Sequence, residues 1–317
     1  MTPLTEILRD EIARSGPLPF SRFMEAALYD PQLGYYRRPR DPFGTGGDFY
    51  TAEQLQPVFG RLIASFFAQL PSPPQPVLVE LGAGRQEMTP YFAGFDYRPV
   101  DVGVGEIPER FSGFVFANEF LDALPVDVVI RRDSRLRELR VGWTGEKFSW
   151  AETGDASDEM CAVVAEGAGE LEEGARIEVC RPAAAWMRRV AGALDSGHAL
   201  FIDYGYTRRE VIRFPEGTLM AYRRHQADES VLDEPGTRDI TAHVAFSAIE
   251  AEAVRAGFEV VRFENLASAL LRAGEPDHFA AALAAPDERE VLRLRMQLKT
   301  LLFGMGETFR TLLLRKA

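Results

Sequence analysis

The sequence predicts an α/β fold built on an open, largely parallel sheet, and three observations carry that expectation. Pro76 to Gln86, PVLVELGAGRQ, reads as a buried strand running into a glycine turn. Further strand-like runs at 99–104, 114–120, 175–180 and 198–204 follow it, with helical stretches between several of them, which is the order of an α/β chain. One of these runs, 114–120, ends in the polar residues Asn118 and Glu119, where open sheets place their sites.

The 76–86 stretch organises the rest. Val77, Leu78, Val79 and Leu81 bracket Glu80, so a carboxylate lies in a strand that should be buried and needs an N–H or hydroxyl partner. Gly82 and Gly84 let the chain turn tightly, open a helix and admit a ligand close to the backbone, as doubly wound sheets do for nucleosides. The same glycines also suit a plain strand-to-helix turn with no ligand.

Along the chain, Thr2-Pro3 reads as an N-cap and first helical residue, and Leu4, Ile7, Leu8 and Ile12 recur at helical spacing until Gly16-Pro17. A second helix starts at Ser21 and groups Phe23, Met24, Ala27 and Leu28 before Asp30-Pro31 stop it. The 33–53 stretch is too long for a simple connector and rich in Gly, Pro and aromatic residues, which fits a packed, functional loop. Val58, Phe59, Leu62, Ile63, Phe66, Phe67 and Leu70 then form a helical core stripe that PSPPQP terminates.

After the glycine turn a short helix is expected to about Ala93, then a strand over 99–104 in which Val100, Val102 and Val104 alternate. Residues 126–150 alternate as short strands with turns at Arg132-Asp133 and Thr144-Gly145, an antiparallel insertion. A strand at 175–180, a helix at 182–194 and a strand at 198–204 restore βαβ order. A strand at 219–222, a capped helix within DITAHVAFSAIEAEAVRAG, a strand after it, a helix at 287–302 and a last strand at 309–314 complete the chain. The expected division is an N-terminal helical and lid segment, 1–75, and a core, 76–317, with the β insertion at about 126–150.

Composition excludes several classes. The 317 residues carry a formal net charge of -12, which argues against a nucleic-acid footprint. Cys161 and Cys180 form no CxxC or Cys/His cluster, so neither zinc nor a disulfide framework is indicated, and the cytoplasm, a reducing compartment, fits. MTPLTEILRDEIARSG resembles neither a leader nor a membrane span, and no membrane insertion is expected. GxSxG, HExxH and GxxxxGK[ST] are absent, and His198, His225, His243 and His278 are scattered. A nucleoside-type site without obvious acid, base or nucleophile suits methyl transfer from S-adenosylmethionine, where the protein chiefly aligns donor and acceptor.

Six blocks in order, GYYRR at 34–38, GGDFYTAE at 46–53, VELGAGR at 79–85, ANEFLDALPV at 117–126, LFIDYG at 200–205 and DITAHV at 239–244, resemble the MidA-type methyltransferases. These are relatives of the mitochondrial complex I assembly factor that methylates an arginine on a complex I subunit. The resemblance implies a class I, Rossmann-like, seven-stranded methyltransferase sheet with helices on both faces, S-adenosylmethionine as donor and a protein arginine as acceptor. Two departures stand out: Gln86 replaces a further glycine of the family's turn, and the interval from Asp101 to Asn118 is short for the edge strand expected there.

The candidate donor-binding residues are Glu80, Gly82, Gly84, Asp101 and Asn118, with Asp48, Phe49 and Thr51 from the 34–53 loop folding over the site. Asp101 follows the glycine turn at the distance of the usual ribose partner, with Glu106 its competitor and a plain surface carboxylate the alternative. Glu119 and Asp122 are the candidate catalytic residues, gripping a guanidinium by carboxylate pairing. The competing view is that Asp122 caps a turn and Glu119 binds backbone amides. Two functions stay open at this point: a methyltransferase acting on a protein side chain, arginine by the resemblance, in respiratory complex assembly, and a silent relative acting as a binding or assembly factor. A nicotinamide-binding sheet ranks third.

Overall fold

The computed structural model describes residues 2–38, 52, 55–223 and 226–317. The chain divides into two compact units, one of Met1–Tyr50, Asp122–Ala185 and Tyr206–Ile249, the other of Thr51–Leu121, Trp186–Gly205 and Glu250–Ala317. The division therefore does not follow the contiguous 1–75 and 76–317 segments expected, because each unit draws strands and helices from separated parts of the chain.

The Thr51–Leu121 unit holds the open sheet. Val77–Leu81 pairs in parallel with Asp96–Val100 on one side and Phe111–Asn118 on the other, and Phe111–Asn118 pairs in parallel with Leu194–Tyr206. Phe309–Lys316 then runs antiparallel between Leu194–Tyr206 and Glu259–Asn265. The chain leaves Val77–Leu81 first to one neighbour and then to the other, so the topological switch point lies at Leu81 and Asn118. Asp96–Val100 ends the path on its side, and the edge strand beyond it is missing among the described residues, in keeping with the short interval to Asn118.

The predicted stripe of Val58–Ala68 forms that helix, with Val58, Phe59, Leu62, Ile63, Phe66 and Phe67 buried against Leu78, Phe114 and Phe116. Phe67 stands 4.9 Å from Phe114, centroid to centroid, and truncating such a side chain costs about 3–5 kcal/mol. Leu266–Gly274 joins the same core through Leu266, Ala269, Leu270 and Ala273. Sequence periodicity missed this helix, although Asn265 caps it by accepting the Ser268 N–H at 2.8 Å.

Several expectations are corrected. The glycine turn opens no helix: residues 82–95 are turns, since Gly82, Gly84 and Gln86 all take left-handed backbone and Pro90 lacks a donor. The second strand is Asp96–Val100 rather than 99–104. Asp101 and Val104 close a tight turn on each other, N to O at 2.8 and 3.0 Å, leaving Val102 and Val104 45% and 42% exposed. Apolar alternation there came from a Gly-rich turn and not from a strand.

In the other unit, Thr2 caps Pro3–Ser15 in a capping box with Thr5, and Leu4, Leu8 and Ile12 are buried. They join Phe20 and Phe23 of Phe20–Tyr29 and the apolar residues of a β-sheet. That sheet orders Leu18–Pro19, Arg135–Trp143, Asp127–Arg132 and Arg176–Val179, with Phe148–Asp155 on Arg135–Trp143. Arg176–Val179 pairs antiparallel with Asp127–Arg132, so it belongs to the insertion and not to a βαβ unit, and the insertion extends well past residue 150. Asp158–Gly167, capped by Ser157, is a helix the sequence pattern did not reveal. The DITAHV segment forms the short strand Asp239–Thr241, paired with Met220–Arg223, and the helix begins only at Phe246.

Candidate active site at the carboxyl ends of the parallel strands

Three adjacent parallel strands end side by side, and each presents candidate residues at that end. Val77–Leu81 leads into Gly82 and Gly84, both at positive φ (71° and 44°). The Gly82 N–H is held by the Val100 carbonyl at 2.9 Å. A Cβ on Gly82 would come within 3.0 Å of the Phe120 ring, whereas a Cβ on Gly84 would meet only the Gly82 carbonyl at 3.9 Å. Close approach from solvent is thus open at Gly84, while Gly82 is needed to seat Phe120. Phe120 in turn meets Trp186 edge-on, ring centroids 5.2 Å apart.

Glu80 is 1% exposed. The Tyr97 hydroxyl donates to its Oε2, the hydroxyl partner that the buried strand required. Burial pushes the Glu80 carboxyl from 4.5 up to about 8, the Tyr97 hydrogen bond opposing the shift and the charges of Asp101 and Glu87 adding to it. Its Oε1 has no hydrogen-bond partner among the described residues, and neither has Oδ1 of Asn118, 4% exposed at the end of the neighbouring strand.

Asp101 stands one residue past its strand. Its carboxylate accepts the Gly84 N–H at 2.6 Å and the Val102 N–H at 2.5 Å, so it joins the glycine turn to the adjacent strand end. Glu106 is exposed beyond that turn.

Asn118 Nδ2 donates to Glu119 Oε1 at 3.2 Å, and the Ala52 N–H reaches the same oxygen at 3.0 Å. Glu119 itself takes left-handed backbone, φ 50°, with its N–H on the Ile202 carbonyl at 2.9 Å. One Glu119 oxygen therefore binds a backbone amide, as the competing view of this residue expected. Sequence reasoning passed over Tyr97 and Asp203, whose carboxylate accepts the Leu121 N–H at 2.9 Å and fixes the Asn118–Leu121 turn from within LFIDYG.

Asp122 falls in the other unit, 4% exposed. Tyr36 donates to Asp239 at 2.9 Å in the same unit, and burial, followed by the charges of Asp239 and Asp122 among others, drives the Tyr36 hydroxyl well above its usual range. Tyr222 is raised by burial and by the same two carboxylates. Tyr36 and Asp239 come from GYYRR and DITAHV, blocks that the sequence reading quoted without assigning them a role. Asp48, Phe49 and Thr51 lie outside the described residues.

These residues fit S-adenosylmethionine. Its ammonium group can satisfy the buried Glu80 Oε1, its ribose hydroxyls suit the carboxylate at the end of the second strand, and Gly84 leaves the backbone accessible. Gln86 does not unmake the turn, because its backbone adopts the left-handed conformation a glycine would take, φ 57°.

Comparisons with known proteins agree with this geometry. Residues 99–264 match the family described as "Putative S-adenosyl-L-methionine-dependent methyltransferase". A superfamily protein from Burkholderia thailandensis, crystallised bound to S-adenosyl-homocysteine, superposes with a TM-score of 0.85 at 32% identity, over 98% of this chain and 91% of that one. The mitochondrial protein arginine methyltransferase NDUFAF7 of Danio rerio is 26% identical over 305 residues, covering 76% of this chain and 69% of its own length. Its Homo sapiens counterpart is 25% identical over 316 residues, covering 78% and 68%. The chain belongs to this family of S-adenosyl-L-methionine-dependent methyltransferases, with the class I fold and S-adenosylmethionine as its methyl donor.

Proposed function

We propose that this methyltransferase modifies an arginine side chain of a partner protein, a subunit of a respiratory complex, in the cytoplasm. The observation that carries the reading is the pair of buried carboxylates Asp122 and Asp239, whose charges add to burial in raising Tyr36 and Tyr222, and buried carboxylates favour a cation beside them. The names of the NDUFAF7 relatives support the same acceptor.

A guanidinium keeps its proton up to a pKa above about 12, so no ordinary side chain removes it in advance. The protein's task is to hold the planar cation and aim one nitrogen. S-adenosylmethionine, when bound, supplies an electrophilic methyl group and a neutral thioether leaving group. Glu119 faces the guanidinium with its carboxylate oriented by Asn118, and a carboxylate takes up the proton released once the nitrogen is alkylated. Glu80, Gly82, Gly84 and Asp101 hold the donor.

The test uses the isosteric variants Glu119→Gln and Asp122→Asn, assayed for donor affinity by calorimetry and for methylation of candidate respiratory subunits. Lost transfer with intact donor binding supports the assignment. Full activity in both variants sinks it.

A further inference from the structure

The last helical run of the chain, Glu288–Thr300 continued by Leu301–Met305 and Gly306–Thr308, buries one side and leaves an apolar stripe on the other. Leu294 and Leu301, seven residues apart, are 1% and 0% exposed and fix the inward face. Leu292, Met296 and Phe303, spaced by four and seven, fall on the opposite face and are 62%, 55% and 71% exposed. Arg289, Arg295 and Lys299 flank the stripe, and no ion pair engages any of the three among the described residues. Arg293 alone is neutralised locally, by Glu290 at 2.6 Å. A basic helix is unusual in a chain of net charge -12, and Lys299 is one of its three lysines.

We infer that this face docks the protein on an anionic lipid surface. Apolar side chains in a narrow stripe, bordered by Lys and Arg, are the pattern of helices that lie in a membrane interface. Charge complementarity chooses the occupant. A second copy would bring the same cationic rim against itself, and three apolar side chains in a row fall well short of the roughly 800 Å² per partner that stable protein interfaces bury. A bilayer surface asks for neither shape complementarity nor large area. It needs shallow insertion of residues such as Phe303 and anionic headgroups for the cations. The attachment is peripheral, since no helix among the described residues is long and apolar enough to cross a membrane.

The experiment is flotation of the intact protein with vesicles of phosphatidylcholine alone and of phosphatidylcholine with phosphatidylserine, at low and high salt. The protein is expected to float with the anionic vesicles only, and to be released by high salt. Arg295→Gln and Lys299→Gln should each weaken partition about five-fold, and Phe303→Ser should weaken it too, all three folding normally by circular dichroism because the side chains are exposed. Equal recovery on neutral vesicles, no recovery on either, or partition indifferent to all three variants would overturn the inference. So would a concentration-dependent dimer abolished by Phe303→Ser, which assigns the face to a second copy, or retention on immobilised polyglutamate as strong as on vesicles, which assigns it to an acidic polypeptide.

Discussion

The Asp101 carboxylate accepts the backbone N–H of Gly84 at 2.6 Å, tying the glycine turn of one strand to the end of the next. One residue thus shapes the turn and stands where open sheets place the ribose partner. Asp101→Ala is expected to weaken S-adenosylmethionine binding by about ten-fold or more, since charge-assisted hydrogen bonds contribute about 1.5–3 kcal/mol. Glu106→Ala should leave affinity unchanged. Calorimetry decides between them: the reverse pattern would move the ribose contact to Glu106.

Gln86 adopts φ 57° without being glycine, with its N–H on the Ala83 carbonyl at 2.6 Å and its own carbonyl accepting from Thr89. A side chain in left-handed backbone costs about 1–2 kcal/mol, part of which a glycine regains only by giving up unfolded-state entropy. Gln86→Gly should therefore stabilise the protein by up to about 1 kcal/mol and leave the turn intact. Denaturant midpoints measure the first effect and donor affinity the second. A clear loss of stability would show that the Gln86 side chain supports the turn through contacts stronger than its backbone strain.

Glu80 supplies a pH dependence with a definite sign. Its folded-state pKa of about 8 lies above the ordinary 4.5, so its contribution to stability is complete below pH 4.5 and is lost as pH rises to about 8. Glu80→Gln cannot ionise. The variant should gain stability relative to the parent across that window and equal or trail it at the acid end. Donor binding should respond oppositely, tightening with pH in the parent as Glu80 ionises beside the ammonium group and staying flat and weaker in Glu80→Gln. Urea titrations and calorimetry at several pH values report both slopes, and parallel curves for the two proteins would count against a buried, proton-bearing Glu80.

Much of the open sheet was legible because each residue type there answers to a local demand. Leu78 and Val79 must be buried, Gly82 must take positive φ, and the Val58–Phe67 stripe must cover a sheet face. The Arg132-Asp133 turn was readable for the same reason, with Asp133 and Ser134 at φ 50° and 64° as a tight hairpin needs. What could not be read depends on residues distant in sequence. Val102 and Val104 alternate like a strand, but glycines 103 and 105, both at positive φ, fold them into a turn. Arg176–Val179 has the composition of a main-sheet strand and pairs instead with Asp127–Arg132. Tyr97 looked like one more strand residue, and only the fold brings its hydroxyl to Glu80. The Asp239–Tyr36 hydrogen bond spans 203 positions, and periodicity carries no trace of it.

Gly113 offers a test of the sheet that is independent of the site. It pairs with Val77 on one side and Gly197 on the other, at the ends of these strands away from the glycine turn. Its φ is 144°, and a Cβ built on it would lie 2.1 Å from the Val77 carbonyl oxygen. Backbone cannot yield as a flexible side chain can, so Gly113→Ala must push the two strands apart or twist the ladder. Strain at such a φ and overpacking each cost about 1–3 kcal/mol, and the variant should lose about 3 kcal/mol or more. Gly94→Ala is the control, because nothing lies within 4 Å of a Cβ there and the change should stay within about 0.5 kcal/mol. Donor affinity measured below the melting range should be nearly unchanged in both variants. An unshifted unfolding midpoint for Gly113→Ala would mean that Val77 and Gly113 do not pair at this spacing, whereas lost stability with retained donor binding places the glycine in the scaffold and leaves the carboxyl ends of the strands to the chemistry.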